Sequence, residues 1–249
     1  MKRILKRILL FLLLSSIVGY GIFALVYFPH HSEATKCEEI VVKLMNGGKE
    51  PLVLETQIRA TITSSPSNPM GKLPSEINTE AIETLLKKNK IIKDAIVYRS
   101  NSGKVVIRVE QRIPLYKIMG SGGNFFVDTE GVIIPQQNNY AVKLPIVSFE
   151  AGTIEKNFAA NELRNFVVYL QQNEFWNDQI EQIHVLTNRE VELIPKVGNH
   201  RIVMGTLTDV NKKLNRLMKF YRKGLNKIGW NCYSEINLKY DKQIVCTKR

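Results

Sequence analysis

Residues 95–110 read AIVYRSNSGKVVIRVE, and this sequence predicts a β-hairpin. Val105, Ile107 and Val109 fall on one face of a strand, because strand side chains alternate with a period of two. A hairpin with one apolar face has to bury it against other elements. The predicted strands are residues 95–99 and 104–110, joined by the polar, glycine-containing turn 100–103.

The sequence before the hairpin predicts one strand and two helices. Alternating apolar residues at 40–44 are typical of a strand. The helix predicted at 79–89 has Thr79 as its N-cap and lysines at its C-terminal end, where the helix dipole favours cations. Another helix is predicted at 52–62, and the Ser- and Pro-rich segment 64–74 is predicted to be a loop.

The order β-α-α-β-β indicates one compact α+β unit at residues 37–113, with two helices on one face of a small sheet. Pro114 marks a change of pattern, and residues 114–249 are predicted to form a mixed β-domain with two amphipathic helices. Its predicted helices are residues 159–170 and 208–225, and its predicted hairpins are 125–127 with 132–134, 191–194 with 201–204, and 235–240 with 243–247.

Residues 8–28 contain no charged side chain and predict a single N-terminal transmembrane helix. A helix of this length spans about 30 Å, the thickness of a bilayer core. A cleaved signal peptide is the alternative, although its apolar region is usually shorter, about 7–15 residues. Four Lys and Arg residues in the tail 1–7 predict that the N-terminus stays in the cytoplasm and that the bulk of the chain is periplasmic.

The composition narrows the class of partner. The formal net charge is +12, but the sequence lacks a zinc-finger pattern or an aromatic-basic RNA signature, so a nucleic-acid partner is disfavoured. Cys37, Cys232 and Cys246 are too few and too dispersed for a disulfide framework. We predict that all three are free and mostly buried as small hydrophobic residues.

Motifs for catalysis and metal binding are lacking in the sequence. There is no HExxH, P-loop or GxSxG pattern, and the glycine-rich segment 120–123 is interpreted as a flexible connector. His30 and His31 are adjacent, a poor spacing for chelating a metal, and Asp128 and Glu130 lie in a predicted turn where carboxylates are common. The sequence therefore predicts no enzyme, no cofactor, no metal site and no small-molecule substrate.

Two surfaces of the second domain are candidates for contact with a partner. The last predicted strand, residues 243–247, either forms a sheet edge blunted by charge or accepts a partner strand by β-augmentation. The polar side of the helix at 208–225 is either a solvated face or a contact for an acidic partner or anionic lipid. Its cations are Lys212, Lys213, Arg216, Lys219, Arg222 and Lys223.

The sequence resembles the FtsQ/DivIB family of bacterial cell division proteins in layout: a basic tail, one anchor, a POTRA domain and a β-domain. The order and spacing of several short motifs carry the resemblance. Residues 95–99 match A-x-V-x-R, 107–114 match I-x-V-x-E-R-x-P, 126–131 contain V-D-x-x-G, 144–145 are L-P, and 236–240 resemble D-L-R-Y.

The chain departs from the family pattern at several positions. Gln111 stands where the family has Glu, and the first POTRA strand lacks the usual V-x-G. After Tyr240, the family's small-residue and Trp positions are replaced by Lys242, Gln243 and Lys248. The family's backbone pairing is therefore expected here, whereas its side-chain contacts are not carried over.

The resemblance implies a non-enzymatic scaffold in the inner membrane at the division septum, where it controls septal peptidoglycan synthesis. The family binds FtsB and FtsL through the C-terminal β-domain, and its POTRA domain recruits other division proteins. The positions that match the family's partner-binding edge are Lys239, Tyr240, Ile244, Val245 and Cys246.

Two other classes of protein stay open at this stage. A POTRA-bearing protein of polypeptide export or outer-membrane assembly is the alternative, but the two amphipathic helices disfavour the membrane barrel that such a protein would carry. An anchored periplasmic enzyme is the third class, and no cluster of candidate catalytic residues supports it.

Overall fold

The computed structural model describes residues 2–27, 35–46, 51–100, 102–120, 123–136, 143–150 and 155–249. The predictions made for His30, His31 and the centre of the glycine-rich connector lie outside these residues. The described chain divides into two compact units. The first contains most of the chain up to Glu110, and the second contains Gln111–Arg249 with the short segments Asn46–Leu52 and Lys90–Lys93.

The first element is the helix α1 (Lys2–Tyr27), which is long and apolar enough to cross a membrane. Its segment Ile8–Tyr27 has a mean hydropathy of 2.5, and none of the apolar window is buried in the protein. The predicted span ends at Phe28, one residue beyond the described part of this helix.

The rest of the first unit has the predicted order β-α-α-β-β, so the α+β prediction is confirmed. Three strands form a sheet in the order β1-β3-β2, in which β1 runs parallel to β3 and Val42 lies opposite Ile107. The elements are β1 (Glu39–Leu44), α2 (Glu55–Thr63), α3 (Thr79–Lys87), β2 (Ile92–Arg99) and β3 (Lys104–Gln111).

Both helix starts in this unit differ from the sequence prediction. Asn78, not Thr79, is the N-cap of α3, and its Oδ1 accepts a hydrogen bond from the Ala81 N–H at 2.9 Å. Thr79 is the first helical residue. The helix predicted from residue 52 begins at Glu55, because Leu52 and Val53 are buried in a bend and Leu54, the N-cap, has an extended backbone.

Isoleucines from the sheet and both helices form the core of the first unit. Ile40 and Ile107 are 1% and 0% exposed, and the helical residues Ile58, Ile62 and Ile82 are at most 2% exposed. The hairpin face predicted from Val105, Ile107 and Val109 is therefore the face that is buried, which confirms the period-two argument.

Nine strands of the second unit form one mixed sheet within the described residues, in the order β12-β11-β10-β9-β8-β7-β4-β5-β6. The strands β4, β7 and β8 were not predicted from the sequence. The strands are β4 (Pro114–Gly120), β5 (Gly123–Asp128), β6 (Ile133–Pro135), β7 (Ile146–Phe149), β8 (Ile180–Val185), β9 (Val191–Pro195), β10 (Arg201–Gly205), β11 (Tyr233–Asn237) and β12 (Val245–Lys248).

Helical segments also contribute residues to the core of the second unit. The predicted apolar stripe of Leu163, Phe166, Val167 and Leu170 is buried, as are Leu214, Leu217 and Tyr221 of the later helix. The helices are α4 (Lys156–Phe158), α5 (Arg164–Gln171), α6 (Glu174–Gln179), α7 (Val210–Phe220) and α8 (Asn226–Ile228), with π-helical turns at Ala159–Leu163 and Tyr221–Leu225.

Lys213 does not lie on a solvated face, in contrast to the sequence prediction. It is 8% exposed, and its Nζ donates to the carbonyl oxygens of Met204 at 3.0 Å and Thr206 at 2.7 Å. Burial lowers the pKa of the Lys213 ammonium. The free polar face of the helix is therefore narrower than its sequence indicates.

The last hairpin is shifted from its predicted register. The predicted strands 235–240 and 243–247 leave a two-residue turn at Asp241 and Lys242, which would place Cys246 opposite Asn237. Cys246 lies opposite Ile236 instead, because the connection runs from Leu238 to Ile244 and is longer than that turn. All three cysteines are free, and Cys232 is not opposite Cys246, as predicted. Cys37 is buried and Cys246 is partly buried, but Cys232 is exposed, so the prediction of burial was wrong for Cys232.

Candidate functional site

The strand β12 is an edge of the large sheet within the described residues. It pairs with β11 on one side, and no described strand pairs with its other side. An unpaired strand edge presents a row of N–H and C=O groups that can pair with another chain. The strand starts two residues later than the predicted segment 243–247.

Two hydrogen bonds show which backbone groups of β12 face outward. The Arg249 N–H donates to the Cys232 carbonyl at 3.3 Å, and the Thr247 carbonyl accepts from Ser234 Oγ at 3.3 Å, so both residues face β11. Successive residues of an antiparallel strand point these groups to opposite sides. The N–H and C=O of Cys246 and Lys248 therefore point to the open edge.

The side chains of the edge alternate between the core and the solvent. Ile244 and Cys246 pack against the core of the unit, whereas Val245 is 44% exposed. A partner strand at this edge would contact the backbone of Cys246 and the side chain of Val245. Of the predicted residues, Ile244 lies outside β12 and belongs to the connection.

The connection before β12 is held in place by Arg216 of α7. Its Nη2 donates to the Leu238 carbonyl at 3.0 Å and to the Tyr240 carbonyl at 2.9 Å. Lys239 Nζ lies 2.7 Å from Glu190 Oε1, and Glu190 is only 17% exposed. The Lys239 ammonium is therefore already paired with a carboxylate of the same unit. Lys239 positions the chain at this site and does not present a free charge.

Tyr240 has a fixed backbone and a free side chain. Its carbonyl is bound by Arg216, while the residue is 51% exposed. A groove of about 210 Å³ lies beside it, lined by both acidic and basic side chains that include Asp209, Lys212 and Asp241. An exposed aromatic ring on a positioned backbone, in the connection that leads into an open edge strand, is suited to anchor a partner chain.

Arg216 and Glu190 were not identified from the sequence as parts of this site. Arg216 was one of several helix cations, and nothing in its spacing distinguishes it from its neighbours. The carbonyls and the lysine that these two residues bind are more than 20 positions away in the chain, so no local pattern marks them. The exposed tyrosine and the short edge strand were identifiable, because they depend on local composition.

The motifs that carry the family resemblance meet at a buried ion pair in the second unit. Arg112 Nη1 lies 2.8 Å from Asp128 Oδ2, and the Asp128 side chain is 2% exposed. The other oxygen, Oδ1, accepts the backbone N–H groups of Glu130 at 2.9 Å and Val132 at 2.7 Å. One carboxylate therefore closes the β5–β6 turn and neutralises the arginine that precedes β4.

Gly131 in the same turn has a φ of 85°, a conformation that favours glycine. A Cβ atom at this position would collide with the carbonyl oxygen of Ala160. The spacing V-D-x-x-G thus has a physical basis, because both the carboxylate and the absent side chain are needed to pack the turn.

Gln111 replaces the family's Glu within a neutral hydrogen-bond network. It is 3% exposed, its Oε1 accepts from the Leu52 N–H at 2.7 Å, and its backbone pairs with the Asn46 side chain. A neutral amide satisfies the buried Leu52 donor without burying a charge, and a buried charge is costly.

A second buried polar pair joins His200 to Tyr221, which lies in the π-helical turn after α7. His200 is 3% exposed, and its Nε2 lies 2.8 Å from the Tyr221 hydroxyl. Burial lowers the pKa of His200 from its usual value of 6.5, and the nearby Arg249 acts in the same direction. The native state therefore binds fewer protons at this site than the unfolded state does.

We expect the protein to lose stability as the pH falls below about 6.5, because the unfolded state gains a proton that native His200 resists. The stability that depends on neutral His200 is fully present above the pKa of this histidine in the unfolded state. It declines as the pH falls toward the lower pKa of His200 in the folded state. In thermal melts between pH 7.5 and pH 5, His200→Gln should show a shallower fall of Tm than the wild type. Equal slopes in the wild type and in His200→Gln would contradict the role of His200.

Among the residues that the structure describes, no group of three or more His, Cys, Asp or Glu side chains is placed to hold a metal ion. The features of the described chain are thus a helix apolar enough to cross a membrane, a β-α-α-β-β unit and a mixed sheet with an open edge. These features define the class of the chain: a two-unit α+β protein with an N-terminal helix that is long and apolar enough to cross a membrane.

Comparisons with known proteins assign these units. Residues 35–110 match the model of a POTRA-like domain, and residues 113–247 match the family described as FtsQ/DivIB, C-terminal related. The second match covers more than half of the chain, so the chain belongs to the FtsQ/DivIB family, a family of cell division proteins.

A curated relative supports this assignment. The chain is 26% identical over 156 residues to the cell division protein DivIB of Clostridium tetani (strain Massachusetts / E88). The match covers 56% of this chain and 56% of the relative. The chain thus aligns with about half the length of the curated relative.

Proposed function

We propose that this protein is a non-enzymatic division scaffold that binds other division proteins through the open edge of β12. The observation that carries the proposal is the row of outward backbone groups at Cys246 and Lys248, on a strand whose preceding connection carries the exposed side chain of Tyr240. Its partners in this proposal are FtsB-like and FtsL-like proteins, which add a strand to the sheet by β-augmentation. Through them the protein controls septal peptidoglycan synthesis.

The proposed location is the inner membrane at the division septum. Helix α1 supplies a single membrane anchor, and the basic residues of the tail 1–7 keep the N-terminus in the cytoplasm. The two folded units then lie on the periplasmic side. In this arrangement a POTRA domain at 37–113 recruits further division proteins, and a β-domain at 114–249 carries the partner edge.

Tyr240→Ala tests the proposal at its exposed anchor. We expect partner binding to weaken at least about tenfold, which corresponds to roughly 1.4 kcal/mol. Truncation of an aromatic anchor at an interface often has an effect of this size or more. The measurement is pull-down of FtsB-like and FtsL-like partners by the full chain, together with the Tm of each variant.

Tyr98→Ala is the matched control, because Tyr98 is a partly exposed tyrosine of the first unit. It should bind the partners as the wild type does. Undiminished binding by a folded Tyr240→Ala variant would show that Tyr240 does not anchor a partner.

A further inference from the structure

One end of the second unit exposes an apolar cluster, which we call the tip patch: Phe175, Val197, Ile228 and Trp230. Phe175 is 39% exposed, Val197 is 52% exposed and Ile228 is 48% exposed, while Trp230 is partly buried. Large hydrophobic side chains grouped on a surface indicate a site of contact with a protein or a membrane.

Ring contacts hold the tip patch together around the buried Tyr221. Its ring centroid lies 6.3 Å from that of Phe175 and 4.8 Å from that of Trp230. Val197 lines the same groove as Phe175, and Ile228 lies two residues before Trp230. The patch is therefore supported from below by a rigid aromatic base.

A row of cations, which we call the basic stripe, borders the tip patch. Lys219, Arg222, Lys223 and Lys227 are exposed, and none of them forms an ion pair within the described residues. The segment Val210–Ile228 contains seven Lys and Arg residues and no Asp or Glu. Two carboxylates, Glu174 and Asp178, line the groove with Lys196, so the excess of positive charge comes from the helix.

One hydrogen bond joins the tip patch to the basic stripe. Trp230 Nε1 donates to Asn226 Oδ1 at 3.1 Å. Asn226 directly follows the π-helical turn Tyr221–Leu225, which contains Arg222 and Lys223. The indole is thereby held to the segment that carries these cations.

We propose that the tip patch and the basic stripe dock on the anionic lipid surface of the membrane in which α1 is anchored. Exposed aliphatic and aromatic residues bordered by Lys and Arg are the features of proteins that lie in the bilayer interface. Tryptophan favours this interface, where its ring is apolar and its N–H is polar. Docking would hold the second unit at the lipid surface and orient its β12 edge.

A lipid-quenching experiment tests this proposal on the full chain. The sequence contains two tryptophans, and Trp176 is 2% exposed, so only Trp230 is placed to contact lipid. The full chain is reconstituted in phosphatidylglycerol vesicles with and without brominated acyl chains. We expect bromine to quench the tryptophan emission of the wild type, and Trp230→Phe to lose this quenching.

The charge requirement is tested by Lys219→Glu, Arg222→Glu and Lys223→Glu in one variant. This variant should lose the quenching, as should the wild type in phosphatidylcholine vesicles, because the attraction depends on anionic headgroups. A control variant makes the same change of charge at exposed sites elsewhere, and it should keep the quenching. This variant combines Lys88→Glu, Lys90→Glu and Lys156→Glu.

The inference rests on the proposed anchor but not on the partner edge. Flotation of every variant with the vesicles shows that α1 still anchors the chain, so lost quenching is distinguished from lost anchoring. Equal wild-type emission in brominated and ordinary phosphatidylglycerol would overturn the proposal, as would quenching that survives in the charge-reversed stripe. Neither result would alter the partner pull-down, which reports on the proposed function separately.

Discussion

Asp128→Asn is expected to destabilise the second unit by about 3 kcal/mol, because it removes the buried carboxylate of the ion pair and leaves Arg112 with only the solvent-exposed Glu130 as an anionic partner. The Asp128 carboxylate is 2% exposed and binds Arg112 through Oδ2 and two backbone N–H groups through Oδ1. The amide keeps the shape and one acceptor but presents an N–H to the guanidinium. For a chain of this size, thermal unfolding should show a fall in Tm of roughly 6–12 °C.

Glu130→Gln is the matched control for this prediction. Glu130 Oε2 lies 2.9 Å from the same Arg112 Nη1, but the Glu130 side chain is 46% exposed. Solvent screens such a pair, so Glu130→Gln should leave the Tm much closer to the wild-type value than Asp128→Asn does. The comparison separates the effect of burial from the effect of contact with Arg112.

A double-mutant cycle tests whether the interaction between Arg112 and Asp128 causes the loss of stability. Arg112→Gln combined with Asp128→Asn should be less destabilising than the sum of the two single changes, since no charge then remains unpaired. If the single effects are small or simply additive, the buried pair does not stabilise the turn in the way proposed.

Local patterns predicted much of this fold. The hairpin at 95–110 and the turn from Asp128 to Gly131 follow from alternation and turn chemistry, and both were predicted with nearly correct bounds. The four-residue strand β7 was missed because both of its partners pair with it in parallel and lie far away in the chain. The strands β4 and β8 pair antiparallel with the next strands, β5 and β9, but their buried residues do not alternate with the period of two that marks a strand in the sequence.

The register of the last hairpin shows how distant contacts override a local turn signal. The sequence predicted a two-residue turn at Asp241 and Lys242. Leu238 instead donates its N–H to the Val203 carbonyl at 2.9 Å, and Arg216 holds the carbonyls that follow. These contacts lengthen the connection and shift Cys246 by one position. The position of β12 at an edge of the sheet was predictable, because it is the last strand of the sequence. The residues whose backbone groups face outward were not predictable.

Proline substitutions in β12 are expected to separate partner binding from folding. Cys246→Pro and Lys248→Pro each remove an N–H that faces the open edge, so both should abolish strand addition while the unit stays folded. Thr247→Pro removes backbone pairing on the β11 side, so it should instead lower the Tm. The two outcomes follow from the alternation of backbone groups along one strand.

The binding experiment uses the full chain with each proline variant, and partner capture is compared with thermal unfolding. Cys246→Ser is the side-chain control, because Cys246 packs partly against the core and its thiol is lost in the proline variant. This control should bind the partner as the wild type does. Reduced binding by Cys246→Ser would assign the effect to the side chain and not to the backbone.

If a partner strand pairs with β12, binding is lost in the variants whose missing N–H faces the open edge. Cys246→Pro and Lys248→Pro change residues on either side of Thr247, so general disturbance of the strand would affect all three variants alike. An edge that receives a partner strand is sensitive at the two outward positions even when the Tm is unchanged. Wild-type binding by folded Cys246→Pro and Lys248→Pro proteins would exclude backbone pairing at β12, and docking would then have to depend on side chains such as Tyr240.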